Sequence, residues 1–318
     1  MARMSLRRLP LPVIRVVIRL FLTAAVASPS EASAGTLPET VSQRISEEAE
    51  AFTSQARWLI GRERLLQKAL RPESRARFRI GTAALRRPES HWENREIVSE
   101  YGFSLFGQDP GVLHELRQVT TIDGKDLRAG EAARMRLLRV ALSQDDQLKQ
   151  RMLTEFERHG LVGAVCDFGQ IILLFSRAGL SHFSFGDGEE RWMGAERARV
   201  FPFQQVTGDQ AVTVFQRDGR QRIPLEGTLW VRAADGMPLR ITVRIDRGQE
   251  NRGIRDEASV EYVSAEQGGL LPASVVHRQL VDGLVNIENH FEYSNFRRFG
   301  AETKIDFGES STAGRLPK

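Results

Sequence analysis

The stretch 227–299 constrains the fold more than any other part of this 318-residue chain. Leu239, Ile241, Val243 and Ile245 alternate with Arg240, Thr242, Arg244 and Asp246, the period of a strand with one dry side and one wet side. Val285, Ile287, Asn289, Phe291 and Tyr293 repeat the pattern against Asn286, Glu288, His290, Glu292 and Ser294. Two weaker strands, Ala258 to Ser264 and Pro272 to Leu280, fall between them. The connections Asp235-Gly236, Gln267-Gly268-Gly269 and Asp282-Gly283 tolerate the positive φ that lets a hairpin close in register. The stretch predicts an antiparallel meander, curved and buried on one face.

The same period recurs upstream. Ile97 to Phe106 puts Tyr101, Phe103 and Leu105 on one face, and Leu116 to Ile122 runs on to Asp123-Gly124. Phe183 and Phe185, Val200 to Val206, Val212 with Val214, and Ile223 to Arg232 continue it, with Pro202 favouring an edge or a bulge. The five Asp-Gly pairs, at 123, 187, 218, 235 and 282, fall mostly where two such runs meet, which favours hairpins over crossover helices. Helical spacing appears twice. From Pro38, the residues Val41, Ile45, Ala49, Phe52, Ala56 and Leu59 form one stripe, read here as continuing past a break at Gly61 through Leu65, Leu66 and Leu70 to Pro72. From Gly130 to His159, Met135, Leu138 and Leu142 mark one face and Leu148, Met152 and Phe156 another. Ser143 and Asp146 between them resemble a capping box and predict a fresh start. Ile171 to Phe175 fits either a strand or a buried helical turn.

The first residues follow a different rule. Arg3, Arg7, Arg8, Arg15 and Arg19 precede the apolar run Leu20 to Ala27, and Ala32-Ser33-Ala34 offers small residues for cleavage, as in a secretory signal peptide. Arg15 and Arg19 leave too short an apolar segment for a spanning helix. The leader holds five of the 45 basic side chains and one of the 41 acidic ones, which leaves 40 of each in the body. The pI near 9.5 is therefore largely a property of the leader, and the charge balance argues against a nucleic-acid partner. Cys166 is the single cysteine, so no disulfide forms within the chain, and it reads as a small buried hydrophobe.

Catalytic and metal-binding patterns are sparse. The six histidines, at 91, 114, 159, 182, 277 and 290, stand apart without short metal-ligand spacing, and no metal or cofactor is expected. Gly186-Asp187-Gly188 lacks the remainder of a dinucleotide fingerprint, and neither a phosphate-cradling loop nor a Gly-x-Ser-x-Gly elbow occurs. Ser181 and His182, as neighbours on a strand, would point to opposite faces. Glu288 and Glu292 share a face with His290, a face read as solvated.

Gly227-Thr-Leu-Trp-Val, Asp235-Gly236-Met-Pro-Leu-Arg, Leu271-Pro272 and Tyr293-Ser-Asn-Phe-Arg-Arg-Phe299 resemble a group of secreted bacterial proteins. More distantly, 95–300 is similar to the periplasmic lipoprotein-carrier superfamily typified by LolA and LolB. The resemblance implies a curved, incomplete antiparallel barrel wrapped around helices, with an apolar concave face that takes up acyl chains.

The expectation is an α+β fold, a curved antiparallel sheet of roughly ten strands with helices on its concave face. Its parts are a signal peptide (1–34), an N-terminal helix and linker (35–94), a half-barrel domain (95–307) and a disordered tail (308–318). The leading function is an exported, periplasmic, non-catalytic carrier for a lipid or acylated protein, with peripheral membrane contact. A structural or assembly factor of the envelope with a filled core is the alternative, and an exported hydrolase the third. The candidate ligand wall is Leu239, Ile241, Val243, Ile245, Val260, Tyr262, Ile287, Phe291 and Tyr293. In the meander, Leu229 and Val231 share a side and Trp230 lines the other.

Overall fold

The computed structural model describes residues 16–18, 35–71, 90–107, 109–161, 167–207, 212–216, 219–247, 253–265 and 268–299. Most of the leader, including the run Leu20 to Ala27, lies outside the described residues, as do most of the linker, Cys166 and the tail.

The period-2 stretches form one twelve-stranded antiparallel sheet. In chain order its strands are β2 (Leu59–Arg71), β3 (His91–Phe106), β4 (Asp109–Ile122), β5 (Lys125–Asp126), β6 (Phe183–Phe185), β7 (Glu189–Met193), β8 (Glu196–Gln205), β11 (Glu226–Arg232), β12 (Pro238–Asp246), β13 (Ile254–Ser264), β14 (Leu270–Val281) and β15 (Leu284–Arg298). The order across the sheet is β5-β4-β3-β2-β15-β14-β13-β12-β11-β8-β6, with β7 on β8 beside β6. The edges do not pair with each other, so the sheet stays open, and register shifts in five of its ladders bend the strands. A small second sheet joins β1 (Val16–Ile18), β9 (Val212–Gln216) and β10 (Gly219–Ile223).

The meander forms as its turn chemistry dictates. Asp282 and Gly283 both take positive φ, 52° and 80°, as do Asp123 and Gly124, and each pair closes a hairpin. Pro202 lies where β8 changes partner from β7 to β6, between Val200 and Phe203, so no N–H is asked of it on that side, where its carbonyl accepts from Gly186 N at 2.8 Å.

Three α-helices accompany the sheet. In α1 (Glu39–Ala56) the stripe Val41, Ile45, Ala49, Phe52 and Ala56 is buried. α2 (Gly130–Leu142) and α3 (Asp146–His159) are separate, as Ser143 predicts, but the cap is Asp145. Its carboxylate accepts from the Gln147 and Leu148 N–H groups at 2.8 and 3.4 Å, while Ser143 Oγ accepts from Asp145 N.

The helical reading past Gly61 is corrected. Leu59–Arg71 is a strand at the centre of the sheet, paired with β3 and β15. Gly61, Glu63, Leu65, Gln67 and Ala69 are buried, while Arg62, Arg64 and Lys68 are exposed. From Gly61 to Leu70 the alternation is unbroken, but the buried set contains an acid and an amide, so apolar spacing alone obscures it.

The sheet's inner face carries the main apolar cluster, which includes Leu65, Tyr101, Phe103, Leu229, Ile241, Val260 and Phe291. α1 lies over this face together with a 3-10 turn, Ile171–Phe175, whose five apolar side chains are all buried. A second cluster joins Ile60 and Leu116 to Leu137 and Val140 of α2 and to Met152 and Leu153 of α3. Leu116 alternates with Glu115 and Arg117, so α2 backs the reverse side of β3 and β4. Val98 to Ser104 are consequently buried on both faces except Glu100, which is half-buried.

Candidate functional site

All nine candidate wall residues are buried, and seven belong to the main apolar cluster with α1 and the Ile171–Phe175 turn. Leu239 and Tyr262 also line a surface depression of about 310 Å³ that includes Met193, Arg232 and Leu270. Trp230 lies on the outer face, half-buried, with the Arg240 guanidinium 5.2 Å from its ring and its indole N–H on Thr228 Oγ1 at 3.0 Å. Leu229 and Val231 face inward. Glu288, Glu292 and His290 stand on the outer face, where Arg278 pairs with Glu288 at 2.7 Å and Arg64 with Glu292 at 3.2 Å across strands, while His290 meets Glu288 along the same strand at 3.0 Å. That face is solvated, as read.

The inner face has two halves of different chemistry. Strands β11 to β13 present Leu229, Val231, Ile241, Val243, Ile245 and Val260, a dry surface. Strands β2, β4, β14 and β15, with the Asp256 end of β13, add a seam of buried polar side chains.

Its centre is Arg117, 2% exposed. Its Nε donates to both Glu63 oxygens at 2.9 and 2.8 Å, Nη1 to Asp167 at 3.3 Å, and Nη2 to Glu115 Oε2. The rings of Tyr101, Phe156 and Phe291 lie 5.4, 5.0 and 5.6 Å from the guanidinium carbon. Burial pulls the Arg117 pKa down, yet the acids around it lift it well above the ordinary value, so it stays charged. Burial pushes the Glu63 carboxyl up, with Arg117 pulling it back. Burial raises Glu115 further, to about 8, Arg117 opposing and the charges of Asp167 and Glu63 adding to the rise. Glu115 therefore keeps its proton at neutral pH.

A second group lies along β13, β14 and β15. Asp256 Oδ1 meets His277 Nε2 at 3.0 Å and accepts from Gln279 at 3.2 Å, while Oδ2 accepts from Arg247. Asn289 Nδ2 lies 3.2 Å from His277 Nδ1, and Gln67 Nε2 donates to Asn289 Oδ1 at 2.9 Å. With Asn289 donating to Nδ1, the His277 proton sits on Nε2, facing Asp256. Burial acts to raise the Asp256 carboxyl, but His277 and Arg247 hold it below its ordinary range.

An acid, a histidine and a third group in line have the look of a hydrolytic triad. Here the third group is an amide, which cannot act as the nucleophile. Among the described residues, no three His, Cys, Asp or Glu side chains are placed to hold a metal ion.

Sequence reasoning missed this seam because its members come from distant strands. The available signal was the alternation of Glu115 and Arg117 with Leu116 and Gln118, in which both sets turn out to be buried. His277, solitary in sequence, finds Asp256 21 residues away on the neighbouring strand.

No described helix is long and apolar enough to cross a membrane. No family model and no curated protein matches the chain. Among solved structures, a LolA superfamily protein from Nitrosomonas europaea is similar at 9% identity, covering 82% of this chain and 94% of that one with a TM-score of 0.31. A DUF1329 family protein from Desulfovibrio piger is similar at 9% identity, covering 86% and 99%, with a TM-score of 0.34.

Proposed function

We propose that the chain is an exported, non-catalytic carrier that receives the acyl chain of a lipid or of a lipidated partner on the dry half of its inner face. The observation that carries this reading is the way that face is covered. Its cover is a short turn and one helix, neither of them part of the sheet. Few polar bonds among the described residues tie them down: Tyr262 Oη donates to the Gly169 carbonyl at 3.2 Å and accepts from Ile172 N at 3.1 Å, Ser46 Oγ donates to the Phe175 carbonyl at 3.3 Å, Arg44 Nη2 donates to Met237 Sδ at 3.7 Å, and Asp167, just before the turn, accepts from Arg117 at 3.3 Å.

The magnitudes make exchange feasible. Exposing the five side chains Ile171, Ile172, Leu173, Leu174 and Phe175 costs about 8–15 kcal/mol at roughly 1.5–3 kcal/mol each. Burying an acyl chain of about sixteen carbons returns roughly 13 kcal/mol at about 0.8 kcal/mol per methylene. A long chain can replace the turn; a short one cannot.

Titration with fluorescent fatty acids of increasing length tests the proposal, read with hydrogen exchange on Glu39–Ala56. Saturable uptake that grows with chain length, accelerates exchange in that helix and is abolished in folded Ile241→Glu or Phe291→Glu supports it. No uptake at any length, with both variants merely unfolded, would favour the second reading, an envelope assembly factor with a permanently closed core. The complete burial of the turn is what favours that rival.

A further inference from the structure

Among the described residues, two neighbouring oxygens of the polar seam lack a hydrogen-bond partner. Tyr101 Oη and Glu115 Oε1 are both fully buried, and both are aimed at Gly169, which opens the turn over the inner face. A β-carbon at Gly169 would sit 3.0 Å from Tyr101 Oη and 2.8 Å from Glu115 Oε1, with Pro272 Cγ at 3.4 Å. One atom can therefore lie within hydrogen-bonding distance of both oxygens at once, and Gly169 is a residue that leaves that point empty. Orphaned buried oxygens cost stability unless a partner fills them in some state of the protein.

The site is a donor site. Glu115 Oε2 accepts from Arg117, so the acid's proton belongs on Oε1, facing the gap. Burial, Asp167 and Glu63 keep that proton in place at neutral pH against the pull of Arg117. Burial likewise keeps Tyr101 protonated. Paired hydroxyls from a tyrosine and a neutral carboxylic acid suit a carbonyl oxygen. They suit a free carboxylate poorly, because Arg117 already gives Nε, Nη1 and Nη2 to Glu63, Asp167 and Glu115, and the surrounding charge is negative. The position also fits an acyl ligand: Tyr262, one of the wall residues, is hydrogen-bonded to Gly169 itself.

We propose that Tyr101 and Glu115 form a carbonyl subsite at the border between the polar seam and the dry wall, which holds the ester or amide oxygen of a bound acyl ligand once the Gly169 turn withdraws. The subsite rests on the carrier reading and adds its specificity: neutral acyl esters or amides in preference to free fatty acids.

Three probes used on the full chain separate the two ideas: cis-parinaric acid methyl ester, the free acid, and the hydrocarbon diphenylhexatriene. Wild type should prefer the ester to the acid. Tyr101→Phe should weaken the ester about tenfold, the weight of one hydrogen bond, and leave the hydrocarbon unchanged. Ester binding should decline as pH rises past about 8, where Glu115 ionises among Glu63, Tyr101, Arg117, Asp167, Tyr262 and Tyr293. Glu115→Gln, which keeps a donor at the gap, should abolish that decline.

Should a variant fail to fold, the infrared carbonyl stretch of a ¹³C-labelled ester on wild type decides alone. A shift to lower frequency than in hydrocarbon solvent supports the subsite, and an unshifted band overturns it. Equal losses of ester and hydrocarbon in Tyr101→Phe also overturn it while leaving the carrier standing. If none of the three probes binds, both proposals fall.

Discussion

Replacing Arg117 by Met probes the seam most directly. Met occupies a similar volume, so the cavity contribution is small, and the change is electrostatic. The guanidinium is fully buried and pairs with Glu63, Glu115 and Asp167. Its removal strands carboxylates in a medium that cannot solvate them, a loss of about 3–5 kcal/mol at pH 8. Protonation relieves part of it. In the variant, Glu63 and Glu115, already raised by burial, rise further for want of their cation. A carboxyl whose folded pKa exceeds its unfolded value, 4.5, contributes stability that is complete below that value and lost as pH climbs through the folded pKa. The deficit of Arg117→Met should therefore shrink to about 1–3 kcal/mol near pH 5, the cost of unmade hydrogen bonds alone. Adding Glu63→Gln should recover part of the loss, because a buried pair removed together costs less than one that is broken. Urea denaturation followed by tryptophan fluorescence at pH 5 and pH 8 measures all of this. A deficit below about 1 kcal/mol at pH 8, or strict additivity with Glu63→Gln, would refute the buried ionic seam.

Three further outcomes are expected. Wild-type stability should fall as pH rises from about 4.5 towards 8 through the raised Glu115, and Glu115→Gln should flatten that slope in the same denaturation assay. Trp230→Ala should cost about 1–2 kcal/mol, the sum of one cation-π contact and one hydrogen bond, because the ring covers the outer face and not the core; a cost of about 4 kcal/mol would place it wrongly. Gly227→Ala should lower stability by about 3 kcal/mol or abolish soluble protein, since the new methyl would lie 1.9 Å from the Thr242 carbonyl oxygen and 2.9 Å from Phe203 Cζ, and the β11–β12 ladder would have to part.

The legible part of the fold was the part where burial and hydrophobicity coincide. Leu239, Ile241, Val243 and Ile245 are apolar and inward, so reading in twos finds both strand and face. The same procedure fails on Leu59–Arg71, where Glu63 and Gln67 are inward and imitate a helix's wet side. It fails again at Glu115 and Arg117, whose burial depends on partners from β2 and from the segment before the turn. Those pairings are settled by register across the sheet, which no local period encodes. Ile171 to Phe175 left two conformations open for a related reason: a run buried on every side has no period to read.

The place of Leu59–Arg71 in the sheet also bears on how the molecule is assembled. Its ladder with Leu284–Arg298 joins segments 222 residues apart at the Gln67–Asn289 pair, and among the described strands it is the one ladder between the block β2–β5 and the strands from β15 to β11. Each block can zip up through neighbouring hairpins, but the seam between them waits until the chain is nearly complete, and non-local pairing of this kind is slow. Until it forms, each block exposes a bare edge with the same complement, and a second copy carries that complement too. Crowded molecules caught at this stage would exchange halves, β2 of one closing on β15 of another, so yield in refolding should depend on dilution more than on temperature.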